Sequence, residues 1–258
     1  MLIDSHAHIH FKDFQGEIPK LLTRAKDAGV THIVNVGTDI DSSRETVSLA
    51  QQYPQIFAVI GIHPHDVAKM RAGDEDLKAL EEMAENPKVV AIGEVGLDYY
   101  YEHSPQEVQL RRLRDFIALG RRTAKPLVIH CRDAFDDCFR IFDEEGAWEV
   151  GGVFHCFTGD AKTAEYIAQK GFHVSFSGIV TFKKATDLHE AARSVRSDRF
   201  LIETDCPFLA PEPHRGKRNE PAYVQLVAQK IATLRGMRVE EVAAITSENT
   251  RRIFRMSP

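Results

Sequence analysis

The feature that most constrains this chain is an alternation that runs its whole length. Eight short apolar and β-branched runs recur, at Leu2-Ile3, His32-Ile33-Val34-Asn35-Val36, Phe57-Ala58-Val59-Ile60, Val89-Val90-Ala91-Ile92, Leu127-Val128-Ile129, Gly152-Val153-Phe154, Phe172-His173-Val174-Ser175-Phe176 and Phe200-Leu201-Ile202. Each has the length and residue types of a buried strand. Between them lie longer segments with apolar residues at helical spacing, such as Ile18, Leu21, Leu22 and Ala25, or Leu77, Leu80 and Met83. Local signals agree: Ser42 with Glu45 reads as a capping box, and Gly29, Gly120 and Gly171 fall where left-handed C-caps are expected. Unbroken βα alternation implies an α/β fold with a parallel sheet, either a closed barrel or an open, doubly wound one. At 258 residues the chain is close to the usual size of a single α/β barrel. The expectation is one domain over residues 1–258, a (β/α)8 TIM-type barrel. Pro207 to Pro221 reads as a loop after the eighth strand rather than a boundary between domains.

The longest apolar runs stop well short of a membrane span. The N-terminus Met1-Leu2-Ile3-Asp4-Ser5-His6 lacks the basic region and apolar stretch of a secretory signal, so a cytoplasmic protein is expected. Nothing in the sequence calls for an obligate protein partner. Cys131, Cys138, Cys156 and Cys206 show no C-x-x-C spacing, which argues against a disulfide framework or zinc knuckle and for reduced thiols. A formal charge of −5 excludes attraction of nucleic acid by bulk electrostatics, so a polyanionic substrate has to be gripped locally.

The twelve histidines are unevenly placed. His6-Ala7-His8 closes the first strand, and period-two alternation points both imidazoles to one face. Alone, this pattern is weak and more often serves a surface or packing role than a ligand pair. The other strand ends change the weighting: Glu94 follows the fourth run, His130 ends the fifth, His155 ends the sixth and Asp205 lies just beyond the eighth. Buried carboxylates and imidazoles without partners are costly, so their recurrence at the C-terminal strand ends, where barrels carry their active sites, is better explained by bound cations. Six ligands exceed one tetrahedral ion, which implies two divalent ions with Glu94 as bridge, His6, His8 and Asp205 on the first, and His130 and His155 on the second. A water between them would lose a proton near neutral pH, with Asp205 orienting it or accepting the proton. Imidazole-rich sites suit zinc or manganese, whereas magnesium prefers oxygen, so the metal's identity among Mg, Mn and Zn stays open. Cys131 and Cys156 follow proposed ligands, and alternation turns them towards packing.

Three further segments border these positions. Gly61-Ile62-His63-Pro64-His65 follows the third run, and its histidines, His63 above all, could bind a substrate oxyanion or donate a proton. Asp98 with Tyr99-Tyr100-Tyr101 could form a wall beside Glu94 on which bases stack, although a Tyr cluster serves packing equally often. The proline-bounded loop from Pro211 to Pro221 carries Arg215, Lys217 and Arg218, a set that could clamp a flexible polyanion, and Lys183-Lys184 could extend it.

Taken together, Asp4-Ser5-His6-Ala7-His8, Gly61-Ile62-His63-Pro64-His65, Gly93-Glu94-Val95-Gly96-Leu97-Asp98, His130-Cys131-Arg132, His155-Cys156-Phe157-Thr158-Gly159, Ser177-Gly178, Glu203-Thr204-Asp205-Cys206-Pro207 and Arg215-Gly216-Lys217-Arg218-Asn219-Glu220-Pro221 resemble the TatD family of metal-dependent deoxyribonucleases, over essentially the whole chain. The resemblance implies a TIM-type barrel, two divalent ions and hydrolysis of DNA phosphodiesters, as a 3′–5′ exonuclease on single strands or 3′ ends. It also supports His6, His8, Glu94, His130, His155 and Asp205 as ligands, with His63 near the scissile phosphate. His10 departs from the family, which usually has Asp or Asn there, and bears on hydrogen bonding around the first ion. Two other readings use the same residues: a two-metal amidohydrolase acting on an ester, amide or aminoacyl bond, and a non-catalytic nucleic-acid-binding barrel.

Overall fold

A computed structural model describes residues 1–71 and 74–256. Strands and helices alternate in chain order: β1 (Leu2–Ala7), α1 (Ile18–Asp27), β2 (Val30–Val36), α2 (Ile40–Gln52), β3 (Ile56–Ile60), α3 (Glu75–Ala84), β4 (Val89–Asp98), α4 (Gln106–Thr123), β5 (Leu127–Arg132), α5 (Phe135–Glu145), β6 (Gly152–Phe154), α6 (Ala161–Gln169), β7 (His173–Phe176), α7 (Thr186–Ser194), β8 (Phe200–Ile202), α8 (Val224–Arg235) and α9 (Val239–Phe254). All eight strands belong to one sheet in the order β1 to β8. That is the strand order of a (β/α)8 barrel, the fold class expected from the sequence, and it excludes the doubly wound alternative, whose strand order reverses at a switch point.

Two compact units emerge from the packing, residues 1–35 with 155–258, and residues 36–154. In the first unit β1 lies parallel to β2 and β7 to β8. Beyond β8 the chain is laced to β1: the Asp205 N–H donates to the His6 carbonyl at 2.9 Å, and the His8 N–H to the Cys206 carbonyl at 2.8 Å. The core behind these strands includes Ile3, Ile33, Val174, Phe176 and Leu201, all fully buried. In the second unit β3, β4, β5 and β6 run parallel in sequence order. There Phe142, Trp148 and Phe154 form an aromatic cluster behind β5 and β6, with ring centroids 4.8–6.4 Å apart.

Several elements differ from the sequence expectation. β4 continues to Asp98, so Glu94 lies within a strand rather than after it, and β1 ends at Ala7, which keeps His6 in the strand as expected and leaves His8 one residue beyond it. The pairing explains β4: Val95 stands opposite Ile129 and Asp98 opposite Arg132, a register that continues past the apolar run. Gly96 permits this approach, because a Cβ there would fall 1.9 Å from the His130 carbonyl oxygen. The cap of α2 is Asp39, not Ser42: Asp39 Oδ1 accepts the Ser42 N–H at 2.7 Å and Ser42 Oγ accepts the Asp39 N–H at 2.9 Å. A short hydroxyl three residues into the helix thus does what Glu45 was expected to do. Gly120 lies inside α4, and the left-handed cap is Ala124 at φ 52°. Its lack of a side chain serves packing, since a Cβ on Gly120 would sit 2.8 Å from Leu127 Cδ2. None of the four cysteines is in a disulfide. Among the described residues no helix is long and apolar enough to cross a membrane.

Candidate metal centre

In the first unit the lacing of β1 to the segment after β8 brings His6, His8 and Asp205 together. His6 Nε2 and His8 Nε2 are 3.2 Å apart. Asp205 Oδ1 lies 3.4 Å from His8 Nε2 and 3.8 Å from His6 Nε2. All three residues are buried. Two neutral imidazole nitrogens facing one another require a proton or a cation between their lone pairs. Zinc–nitrogen bonds of roughly 2.0–2.1 Å put two nitrogens on one ion about 2.9–3.4 Å apart, so the His6–His8 spacing is that of one edge of a coordination polyhedron. Burial opposes ionisation of Asp205, but the close approach of His8 and the fields of His6 and His155 outweigh it and lower its pKa.

His155 stacks on His6, ring centroids 3.9 Å apart and planes 11° from parallel. Its Nδ1 lies 3.4 Å from Glu203 Oε1, and Glu203 with His6 and His155 forms a second group of converging donor atoms. Glu203 is fully buried, with Oε1 accepting the Cys156 N–H at 2.6 Å. No role for this residue was read from the sequence. The available signal was position: Glu203 directly follows β8, at the strand end where barrels carry their functional residues. Asp4 ties β1 to the same stretch, with Oδ1 accepting the Thr204 N–H at 2.9 Å and Oδ2 the Thr204 hydroxyl at 2.5 Å. Burial pushes the Asp4 carboxyl up to about 8. His10 Nδ1 accepts from the Asn35 amide at 3.2 Å, while Asn35 Oδ1 holds the Ile9 N–H at 2.8 Å, so a side chain of β2 fixes the loop that follows His8.

In the second unit β3, β4 and β5 deliver His63, Glu94 and His130. Glu94 Oε1 lies 2.8 Å from His130 Nδ1, and His63 Nε2 lies 3.3 Å from each of these atoms. Their hydrogen-bond partners assign the tautomers. His130 turns Nε2 to Asp98 Oδ2 at 2.9 Å, and a neutral ring that donates there leaves Nδ1 with its lone pair towards Glu94. A carboxylate oxygen and a nitrogen lone pair at that separation repel unless a cation or proton joins them, and a carboxylate behind the histidine is the usual support for a metal-bound imidazole. His63 differs. Its Nδ1 accepts the His65 backbone N–H at 3.1 Å, so the neutral ring carries its proton on Nε2 and presents a donor. Burial lowers the His63 pKa to about 4, against the opposing pull of Glu94. The ring is therefore neutral near pH 7. Although His63 converges with Glu94 and His130, its tautomer suits an anion better than a cation.

Asp98 organises this cluster. Its Oδ2 accepts from both His130 Nε2 and His65 Nε2, at 2.9 and 3.0 Å, and its Oδ1 takes the Tyr100 and Tyr101 N–H groups. Burial disfavours the charge, but these donors outweigh it and hold the carboxyl below its ordinary range. The Asp98 backbone is clamped by buried Gln109.

The basic loop after β8 divides. Buried Asn219 anchors it, donating to the Thr204 and Phe208 carbonyls at 2.8 and 2.7 Å. Arg218 is held by Glu17 at 2.9 Å. Arg215 lies over the Phe182 ring at 4.3 Å, and among the described residues neither Arg215 nor Lys217 is paired with a carboxylate. Lys183 and Lys184 are exposed.

Donor groups of imidazole and carboxylate at the strand ends of a (β/α)8 fold define a metal-dependent hydrolase. The family model described as TatD related DNase matches residues 3–255, and the chain belongs to that family. It is 45% identical over 257 residues to YabD, a metal-dependent hydrolase of Bacillus subtilis, covering 100% of both chains. It is 31% identical over 261 residues to the 3′–5′ ssDNA/RNA exonuclease TatD of Escherichia fergusonii, covering 99% of this chain and 100% of that one. The crystal structure of YJJV, a TatD homologue from Escherichia coli, superposes with a TM-score of 0.93 at 28% identity, over 99% of this chain and 98% of that one.

Proposed function

We propose that this hydrolase is a deoxyribonuclease that cleaves phosphodiester bonds in single-stranded DNA from the 3′ end. The observation that carries the reading is the pair of converging donor groups, one in each unit, at spacings that suit divalent cations. The relative named as a 3′–5′ exonuclease, similar over its full length, supports the choice of substrate. Two divalent ions are proposed per chain. His6, His8 and Asp205 would hold one, with His155 beside them rather than on the second ion as the sequence suggested, and Glu94 and His130 would hold the other. Bound divalent cations polarise a phosphoryl oxygen and acidify water. The protein's own groups do the rest. Asp205 accepts the proton of the attacking water, for which a buried but ionised carboxylate is suited. The His63 Nε2–H donates to a phosphate oxygen, and Arg215 and Lys217 offer the substrate charges not committed to a carboxylate.

The test is incubation of metal-loaded protein with end-labelled single-stranded DNA and, in parallel, with a panel of small esters and amides. A ladder of products shortened from the 3′ end is the expected result. Turnover of an ester or amide with DNA left intact would replace this reading with the amidohydrolase one, and binding of DNA without any turnover would leave a nucleic-acid-binding barrel.

A further inference from the structure

Among the described residues four large apolar side chains are exposed: Met1, Tyr100, Tyr101 and Phe208. The three aromatic ones each lie within three positions of a site carboxylate, Tyr100 and Tyr101 after Asp98 and Phe208 after Asp205. Tyr100 is 58% and Tyr101 51% exposed, a costly placement for large rings that contribute little to the core. Their backbone is nevertheless fixed, because both N–H groups bond to Asp98 Oδ1 at 3.0 and 2.9 Å. The Asp98–Arg132 register of β4 and β5 then brings the Arg132 guanidinium over both rings, 4.0 Å from the Tyr100 centroid and 4.9 Å from that of Tyr101. Arg132 is paired with no carboxylate among the described residues. Ring contacts continue inward: Tyr101 to His65 at 5.5 Å, and His65 to His63 at 4.2 Å.

We infer that Tyr100 and Tyr101, with Arg132, form a stacking subsite for the unpaired bases of a single-stranded nucleic acid whose phosphate reaches His63. The inference rests on the nuclease reading and deepens it. Exposed, pre-ordered aromatic rings offer a face to any base, and a guanidinium without a carboxylate partner offers charge to the adjoining phosphate. A paired duplex keeps its base faces buried in its own stack, so such a platform selects single strands without reading sequence. The carboxylate that orients His130 also fixes the tyrosine loop, so base grip and metal ligand share one support.

Two measurements on the metal-loaded protein test this. One is turnover of a single-stranded deoxyoligonucleotide. The other is binding, by fluorescence anisotropy, of a hydrolysis-resistant phosphorothioate version and of a copy whose 3′-terminal residues are abasic. Replacing both rings, Tyr100→Ala with Tyr101→Ala, should weaken binding of the base-bearing oligonucleotide roughly 5- to 150-fold, the range for loss of one stacked base. The conservative Tyr100→Phe with Tyr101→Phe should restore it, and the abasic copy should bind the parent and the Ala variant alike. Equal binding of the base-bearing oligonucleotide by parent and Ala variant, with DNA turnover intact, overturns the stacking subsite and leaves the nuclease reading standing. Base-dependent binding without DNA turnover overturns the nuclease reading and leaves the subsite. Loss of both sinks both.

Discussion

Asp205 and His63 carry opposite assignments, and single substitutions separate them. Asp205→Asn keeps size and one carbonyl oxygen but cannot accept a proton as a carboxylate. Turnover should fall by at least about 100-fold, the scale of general acid–base assistance. Metal analysis of the same sample decides whether proton transfer or ligation was lost, and near-parental turnover in a loaded protein would remove Asp205 from the chemistry. His63→Ala should lower kcat by roughly 10²–10³-fold, the cost of removing one donor to a developing oxyanion, while bound metal stays unchanged. Loss of an ion in that variant would make His63 a ligand and defeat the tautomer assigned from the His65 N–H. Sequence alone could nominate both residues, because His63 and Asp205 stand just past strands. It could not reveal which ring nitrogen bears the proton, which depends on a backbone donor two residues on.

At the scale of elements, the loop anchored by Asn219 is where substrate charge should be met. Neutralising Arg215 and Lys217 by Gln should weaken binding of single-stranded DNA and flatten its dependence on salt, by about 0.7 in the log–log slope for each phosphate no longer neutralised. Measuring affinity from low to moderate salt checks this, and an unchanged slope would return the loop to ordinary surface. Arg218→Gln should alter the slope less, because Glu17 already holds that guanidinium. The sequence could propose all three cations but not this division, since the partner lies on the far side of the primary structure. The same limit explains the strand ends. Apolar runs mark where strands start, yet β4 reaches Asp98 because β5 pairs with it. Glu203 escaped notice for the converse reason: a lone glutamate beside a stronger candidate carries no pattern until its burial against His155 is seen.

For the whole molecule, protein purified without chelator should contain close to two divalent ions per chain, and full activity with one would refute the two-ion scheme. The metal-free protein should show a particular response to pH. Asp4 keeps its proton in the folded chain up to about pH 8, whereas an unfolded aspartate releases it near pH 4. Unfolding therefore releases a proton in that interval, and stability falls as pH rises through it. His63 acts in the opposite sense between about 4 and its unfolded value near 6.5, since the folded ring stays neutral while the unfolded one is charged. Above that crossover the Asp4 contribution is no longer opposed by His63. Urea unfolding of chelator-treated protein between pH 6.5 and 8 should show declining stability, and Asp4→Asn, which cannot release a proton, should flatten the decline. A decline of the same slope in Asp4→Asn would place its source elsewhere.

The bond from Thr204 to Asp4 joins residues 200 positions apart, and Asp205 stands next to it against His6 and His8. During synthesis His6 and His8 emerge well before the carboxylate that faces them. His63, Glu94 and His130, by contrast, span only 67 positions. A chain interrupted before β8 would thus possess Glu94 and His130 yet lack the group proposed to take the proton from water. On that scheme hydrolysis would begin only once the segment beyond β8 had been made and docked against β1.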